Sequence, residues 1–513
     1  MHITRRTTLQ WLAAASAASL LESSPLAQPL VLSSDEPYQP QWGSLQQHSC
    51  PEWYRDAKFG IYFHWGLYSV PAFGNEWYPH WMYLPDRPEY KHHLATYGPL
   101  DRFGYKDFAS AFTAANFDPD AWVTLFKEAG ARYIGPVAEH ADGISMWDSR
   151  INRWNVARIG PRRDVVAEME RAVRKQGLKF FTSFHHQWLW GWYSSTVPDA
   201  DIYQPQFSDL YWPQKYVPGP QNTYHPGNSG AFNFAHPDPP PTPRFCEIWR
   251  DKVIEVVDRY HPDIIYFDNR VAIIPESYRM QMLAHYYNAS KRAGREVVMT
   301  YKDTDFATNS GLIDIEAGQL TEKASFVWQT DDVLDWDSWG YITKPNYKSA
   351  GRIIHQMIDV VSKNGNLLLD VGPRPDGTIP SEIESRLRRI GAWLRVNGEA
   401  IYETRSVAFR FGEGRTVVKK GSYVADHTTD FTAQYIRFTT RDRALYVHVL
   451  GAPGSQVRVT SLTRDTPLPF GALHKAALLG VPQPLRWNWT PDGLVFDIPD
   501  TRPSDDALVI KLT

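Results

Sequence analysis

The sequence predicts an α/β protein built on a (β/α)8-type, TIM-like barrel followed by a C-terminal antiparallel β-sandwich. Three observations carry that expectation. Short β-rich runs alternate with helix-length amphipathic segments through the first four hundred residues, the texture of βα units around a parallel sheet. Nearly every one of those runs ends in a polar or ionisable cluster, as barrel strands do where catalytic groups gather. From Phe411 onward the helix-length pattern stops, and segments such as YIRFTTRDRALYVHVLG and GLVFDIPD alternate apolar with polar residues between turn signals.

In chain order the candidate strands are Phe59 to Phe63, Arg132 to Val137, Leu178 to Phe184, Asp263 to Phe267, Glu296 to Thr300, Phe326 to Gln329 and Leu367 to Val371. Between them, PDAWVTLFKEAG starts a helix at Pro119 and stops it at Gly130, and DVVAEMERAVRKQG is capped by Asp164 and ended by Gly177. Seven or eight such units close most economically as a barrel. The run from Pro198 to Pro243, rich in Pro, Gly, Asn and aromatics, reads as an irregular insertion after the third strand. At 513 residues the chain has room for two domains. We place an export segment at 1–30, a catalytic barrel at 31–404 and the sandwich at 405–513.

The export segment rests on a twin arginine, Arg5 and Arg6, ahead of an Ala-rich apolar stretch from Trp11 to Leu21 that is too short to span a bilayer. It implies a periplasmic or secreted protein of bacterial type. With only Cys50 and Cys246, there is no disulfide framework and no Cys-based zinc site. A formal net charge of −3 and the lack of a long basic block argue against nucleic acid as a partner.

The strand ends supply the chemistry. The first strand runs into His64, the second into Glu139, His140 and Asp142, the third into His185 and His186, and the fourth into Asp268. Glycoside hydrolysis needs two carboxyl groups flanking the scissile bond, and a rigid strand end aims a short acid such as Asp268 well. A helix cap or a pairing with Arg270 is the plainer reading of the same residue. GLIDIEAGQ offers the second carboxyl as Asp314 or Glu316. Adjacent residues on a strand point to opposite faces, so the pairs His92-His93 and His185-His186 suit no single metal; HExxH is absent as well, and no metal or other cofactor is expected. Trp188, Trp190 and Trp192 either line a sugar groove or pack the insertion onto the barrel.

The stretches WYRDAKFGIYFHWGLYSVPAFGNEWY, AEHADGISMWDS, HPDIIYFDN, VSKNGNLLLDVGPRPDGTIP and VNGEAIYET, in that order, resemble the α-L-fucosidase family, glycoside hydrolase family 29. The resemblance runs from about Trp53 to the C-terminus. It implies a (β/α) barrel with a β-sandwich and a cofactor-free retaining hydrolase acting on a carbohydrate. It also implies Asp268 as nucleophile, Glu316 as acid/base, and His64, Glu76, Trp77, His140 and Tyr266 as sugar-binding residues.

Departures from the family pattern bear on the substrate. Many members carry a second histidine where this chain has Ala141, so His185 or His186 is expected to stand in, or the sugar differs in configuration. The family's arginine after the fifth strand is not evident in VVMTYKDTDF, where Tyr301 and Lys302 lie nearby. VWQTDD replaces a Glu-bearing stretch with Gln329, Asp331 and Asp332. Two other readings therefore stand beside an α-L-fucosidase: an exo-glycosidase for another α-L-sugar of the L-galactose or L-glucose type, and a non-catalytic sugar-binding protein on the same scaffold.

Overall fold

In the computed structural model the described residues are 35–212, 240–414 and 431–513. The export segment read in residues 1–30 and much of the insertion lie outside the described residues.

Eight parallel strands close a barrel: β1 (Phe59–Phe63), β2 (Tyr133–Glu139), β3 (Lys179–Phe184), β4 (Ile264–Phe267), β5 (Val298–Lys302), β6 (Leu312–Asp314), β7 (Trp328–Val333) and β8 (Gly365–Val371). The strand absent from the sequence expectation is β6. It is three residues long and meets β7 through the single pair Asp314 and Gln329, too short a run to show a period. Helices cover the outside, and their ends follow local chemistry. Asp118 accepts from the Ala121 amide at 3.1 Å ahead of Pro119–Glu128, and Asp164 accepts from Ala167 at 2.9 Å ahead of Val165–Lys175. Gly130 and Gly177 follow these helices at φ +103° and +72°, a region that favours glycine.

Strand alternation decides what enters the barrel. Tyr62, Tyr133, Val137, Phe181, Ile264, Tyr266, Val298 and Leu368 meet in its interior. Gly60 has to be a glycine, because a Cβ there would lie 2.1 Å from the Tyr133 ring. On β2 the register with β3 shifts between Val137 and Glu139. This bulge changes the phase, so Glu139 points outward to Lys252 at 2.6 Å and His140 points inward.

After the barrel, β9 (Arg405–Ser406), β10 (Gly412–Glu413), β11 (Ile436–Arg441), β12 (Ala444–Leu450), β14 (Ala476–Leu478) and β17 (Ala507–Leu512) form one antiparallel sheet. A second sheet holds β13 (Gln456–Val459), β15 (Trp487–Thr490) and β16 (Gly493–Asp497). Between them lies an apolar core that includes Phe438, Val447, Val459, Leu494, Phe496 and Ile510. The sheets are tied to the barrel's outer helices by the Trp393 indole, which donates to the Ala507 carbonyl at 2.9 Å, and by a buried ion cluster around Asp359.

Cys50 and Cys246 are free thiols. No described helix is long and apolar enough to cross a membrane.

Candidate active site

Seven strands deliver a polar side chain to the same mouth. His64 follows β1, His140 follows the bulged end of β2, His185 follows β3 and Asp268 follows β4. Lys302 ends β5, Glu316 lies two residues beyond β6, and Asp370 is on β8. One layer below are Tyr62, Tyr266 and Asp331, with both tyrosine hydroxyls donating to Asp331 Oδ2 at 2.8 and 2.9 Å.

The centre of the arrangement is the Lys302 ammonium, whose side chain is 2% exposed. Its Nζ lies 3.1 Å from Asp268 Oδ1, 2.8 Å from Glu316 Oε2 and 3.5 Å from Asp331 Oδ2. Because the same nitrogen touches Asp268 and Glu316, the bridged oxygens can be no further apart than those first two distances combined. That is compatible with the roughly 5–5.5 Å between carboxyl groups that a double-displacement glycosidase requires. Trp188 Nε1 donates to Asp268 Oδ2 at 2.8 Å, and His185 Nδ1 lies 3.4 Å from the same oxygen. Asn269 Nδ2 donates to Glu316 Oε2 at 2.9 Å.

The environments of the two acids diverge. Burial pushes the Asp268 carboxyl upward, but the Lys302 charge and His185 outweigh it and hold the group well below the usual carboxylate range. Burial also pushes Glu316 upward; Lys302 opposes this, the charges of Asp268 and Asp331 add to it, and the group is pushed up to about 7. One acid is therefore ionised and its neighbour holds a proton near neutrality, the division of labour that acid/base chemistry needs. Asp314 sits deeper, accepting from Gln329 Nε2 at 2.7 Å, and burial followed by the Asp331 charge holds it well above the carboxylate range.

His64, His140 and His185 face one another with ring centroids 5.1 to 5.3 Å apart. Burial holds the His64 and His140 imidazoles well below their usual range, so both rings are neutral. His64 Nδ1 lies 2.8 Å from Asp370 Oδ1, which leaves Nε2 for a ligand. His140 Nδ1 is buried without a hydrogen-bond partner among the described residues. Ring nitrogens of these three residues lie within 4.8 Å of one another, making them the set among the described residues with the composition of a metal site; the same ring edges suit the hydroxyls of a polyol.

Of the remaining sequence-predicted residues, Tyr266 forms the floor, two residues before Asp268 on the same inward face. Trp77 is half-buried on the rim, against Trp192 at 4.6 Å, Trp188 at 5.5 Å and Trp81 at 5.6 Å. Glu76 is 5% exposed and braces a loop, accepting from the Trp339 amide at 2.9 Å and Ser338 Oγ at 3.3 Å. The structure does not bring His186 to this mouth. It points outward, stacks on Trp249, and its Nε2 lies 3.1 Å from the Trp249 carbonyl. His185, directly after β3, keeps to the inward side, while His186 opens the helical turn His186–Leu189 and turns away.

The sequence reading passed over Trp339, whose ring centroid is 5.5 Å from that of His64 and 6.0 Å from Lys302 Nζ. Lys302 was noted only as a neighbour, although a lysine closing a strand was a visible signal. Trp188 belongs to the site, whereas Trp190 packs on Phe245 at 5.2 Å.

A family model described as Alpha-L-fucosidase matches residues 26–399. Tissue alpha-L-fucosidase from Bos taurus is 30% identical over 497 residues, covering 93% of this chain and 91% of that protein. The same enzyme from Rattus norvegicus is 29% identical over 496 residues, covering 93% and 92%. Among solved structures, an alpha-fucosidase from Thermotoga maritima in complex with fucose is 28% identical, with a TM-score of 0.71 over 93% of this chain and 100% of that one.

Proposed function

The chain belongs to the α-L-fucosidase family and is a glycoside hydrolase, and from that premise we propose that it is a retaining exo-glycosidase releasing terminal α-L-fucosyl residues. The observation that carries the mechanism is the shared ammonium: Lys302 Nζ lies 3.1 Å from an ionised Asp268 and 2.8 Å from a protonated Glu316. In the first step an Asp268 oxygen attacks the anomeric carbon, the glycosidic bond breaks, and Glu316 gives its proton to the departing oxygen. A covalent glycosyl-enzyme remains. In the second step Glu316 takes a proton from water, the hydroxyl adds to the anomeric carbon, and the Asp268 ester is cleaved with its carboxylate restored. Two inversions return the starting anomeric configuration.

Around the sugar, the imidazoles of His64, His140 and His185 offer hydroxyl partners, Trp77 and Trp339 offer apolar faces, and Tyr266 closes the floor. Ala141 is buried beside His140 and supplies no donor, while His185 adds a third imidazole to the cluster. This exchange is what keeps a second reading in play, a preference for an α-L-sugar of different configuration. A purely sugar-binding role is disfavoured by the divergence of the two acids, because a lectin has no use for a carboxyl that releases a proton near neutrality.

A panel of aryl α-L-glycosides with NMR of the first-formed anomer tests the proposal. Hydrolysis of the α-L-fucoside with retention is expected. Inversion would reassign the mechanism, preference for another L-sugar would reassign the substrate, and inactivity on the whole panel would favour the binding role. We further propose export through the twin-arginine segment, supported by Arg5, Arg6 and the apolar stretch Trp11 to Leu21. Mass spectrometry of the mature N-terminus tests it; an intact residue 1 in exported protein would contradict it.

A further inference from the structure

We propose that Lys302 is the electrostatic pivot of the double displacement, shared by Asp268 and Glu316 in the free enzyme and, of these two reacting acids, left to Glu316 once Asp268 is esterified. The inference rests on the mechanism proposed above and goes beyond it by giving the cation a part in each half-reaction.

The geometry is specific. An ammonium has three N–H donors, and Lys302 Nζ has three carboxyl groups within 3.5 Å, those of Asp268, Glu316 and Asp331. The chain climbs to this position from the inward face of β5, and Tyr266 lies beside its path, its ring centroid 5.4 Å from Nζ. With the side chain only 2% exposed, bulk water screens these contacts little. Lys302 also touches atoms that react, the nucleophile's oxygen and the acid's oxygen, so its charge acts on both bond-making centres.

Esterification changes the balance at one stroke. In the free enzyme the Asp268 charge helps Glu316 keep its proton while the ammonium opposes it. When Asp268 becomes a neutral ester, the opposing cation remains 2.8 Å from Glu316 and the supporting anion is gone. Glu316 then holds its proton less tightly and becomes the base that activates water. A neighbouring like charge raises a carboxyl's pKa, so its loss with the cation still in place converts a group half-protonated near neutrality into an ionised one. Asp331, which also touches the ammonium, anchors it from below, so the cation does not follow either reacting carboxyl as the charge moves.

Two variants and one titration test this. In K302M, removing the positive charge raises both carboxyl pKa values, so the acid and alkaline limbs of kcat/KM on an aryl α-L-fucoside both move to higher pH, by about one unit or more. K302R keeps the charge and leaves both limbs close to their wild-type positions whatever its rate. Carbon-13 NMR or infrared difference titration of Glu316 in the wild-type protein is expected to give a midpoint near 7 when free, and a lower one when a 2-deoxy-2-fluoro sugar is trapped on the enzyme. That measurement stands even if K302M does not fold. A K302M profile superimposable on wild type, or a Glu316 midpoint unmoved by trapping, would overturn the inference while leaving the double displacement intact. A wild type that hydrolyses no α-L-glycoside would remove the mechanism and this inference together.

Discussion

Around Asp359 two cations meet one carboxylate; around Lys302 one cation meets three. In the first cluster Lys363 Nζ lies 2.7 Å and Arg437 Nε 2.5 Å from the two oxygens of Asp359, all three side chains at most 1% exposed. Spare donors go to backbone carbonyls, from Lys363 to Leu320 at 2.7 Å and from Arg437 to Glu413 at 2.9 Å and Ile436 at 2.8 Å. The two cations hold Asp359 below the usual carboxylate range against its burial. Such a cluster fastens the helix Ala350–Ser362 to β11 and has no proton to give. The second cluster has more acid than base, with Asp314 behind it, and oxygens of both Asp331 and Asp314 lack partners among the described residues. An arrangement this poorly compensated costs stability, and its distinguishing property is that a proton must reside on one of the acids. The difference teaches that charge balance, more than burial, separates an ion cluster that only fastens elements from one with a proton to give.

Breaking the acid-rich cluster at Asp268 has the largest expected effect. Asp268→Ala should lower kcat/KM by ~10⁴-fold or more while circular dichroism shows an unchanged fold. Retained activity would place the nucleophile elsewhere. Glu316→Ala should cost about 10² to 10⁴-fold on substrates with poor leaving groups. The first step on good leaving groups should be spared, azide should restore part of the turnover, and the alkaline limb near pH 7 should disappear. The sign follows from the chemistry: Glu316 acts as an acid only below its pKa, so wild-type kcat/KM falls as pH rises through about 7.

The cation-rich cluster should respond in the opposite sense. Arg437→Met removes one partner of a buried carboxylate and should lower stability by about 3–5 kcal/mol, read as a fall in Tm or in the denaturant midpoint. Below the transition its kcat/KM against pH profile should match wild type; a shifted profile would mean the two clusters are coupled. The smallest contrast lies between the two neighbours that follow β3. His185→Ala should cost about 10 to 100-fold in kcat/KM, whereas His186→Ala should cost about 1–3 kcal/mol of stability and change kcat/KM little.

That last pair shows what was legible in the sequence and what was not. The barrel and the C-terminal sheets could be read from periodicity, and the rule that strands end in chemistry pointed to His64, His140, His185 and Asp268, while it left Asp314 and Glu316 open. The rule did not separate His185 from His186. Strands of a parallel barrel are buried on both faces, and in KFFTSF the apolar residues fall on either side, so the sequence carries no phase. On β2 the bulge resets the phase without a local signature. Lys302 was visible as a strand-end residue, but its role depends on three acids contributed by β4, β7 and the segment after β6. Trp339 sits in a loop six residues past β7, and only chain closure brings it to His64.

Whether one sugar bridges these residues is decided most directly by trapping the intermediate. The enzyme is incubated with 2-deoxy-2-fluoro-α-L-fucosyl fluoride, digested, and its peptides sequenced by mass spectrometry. A fluorofucosyl ester on Asp268, lost in Asp268→Ala, is the predicted result. An ester on another carboxylate, or hydrolysis with inversion and no adduct at any time, would contradict it.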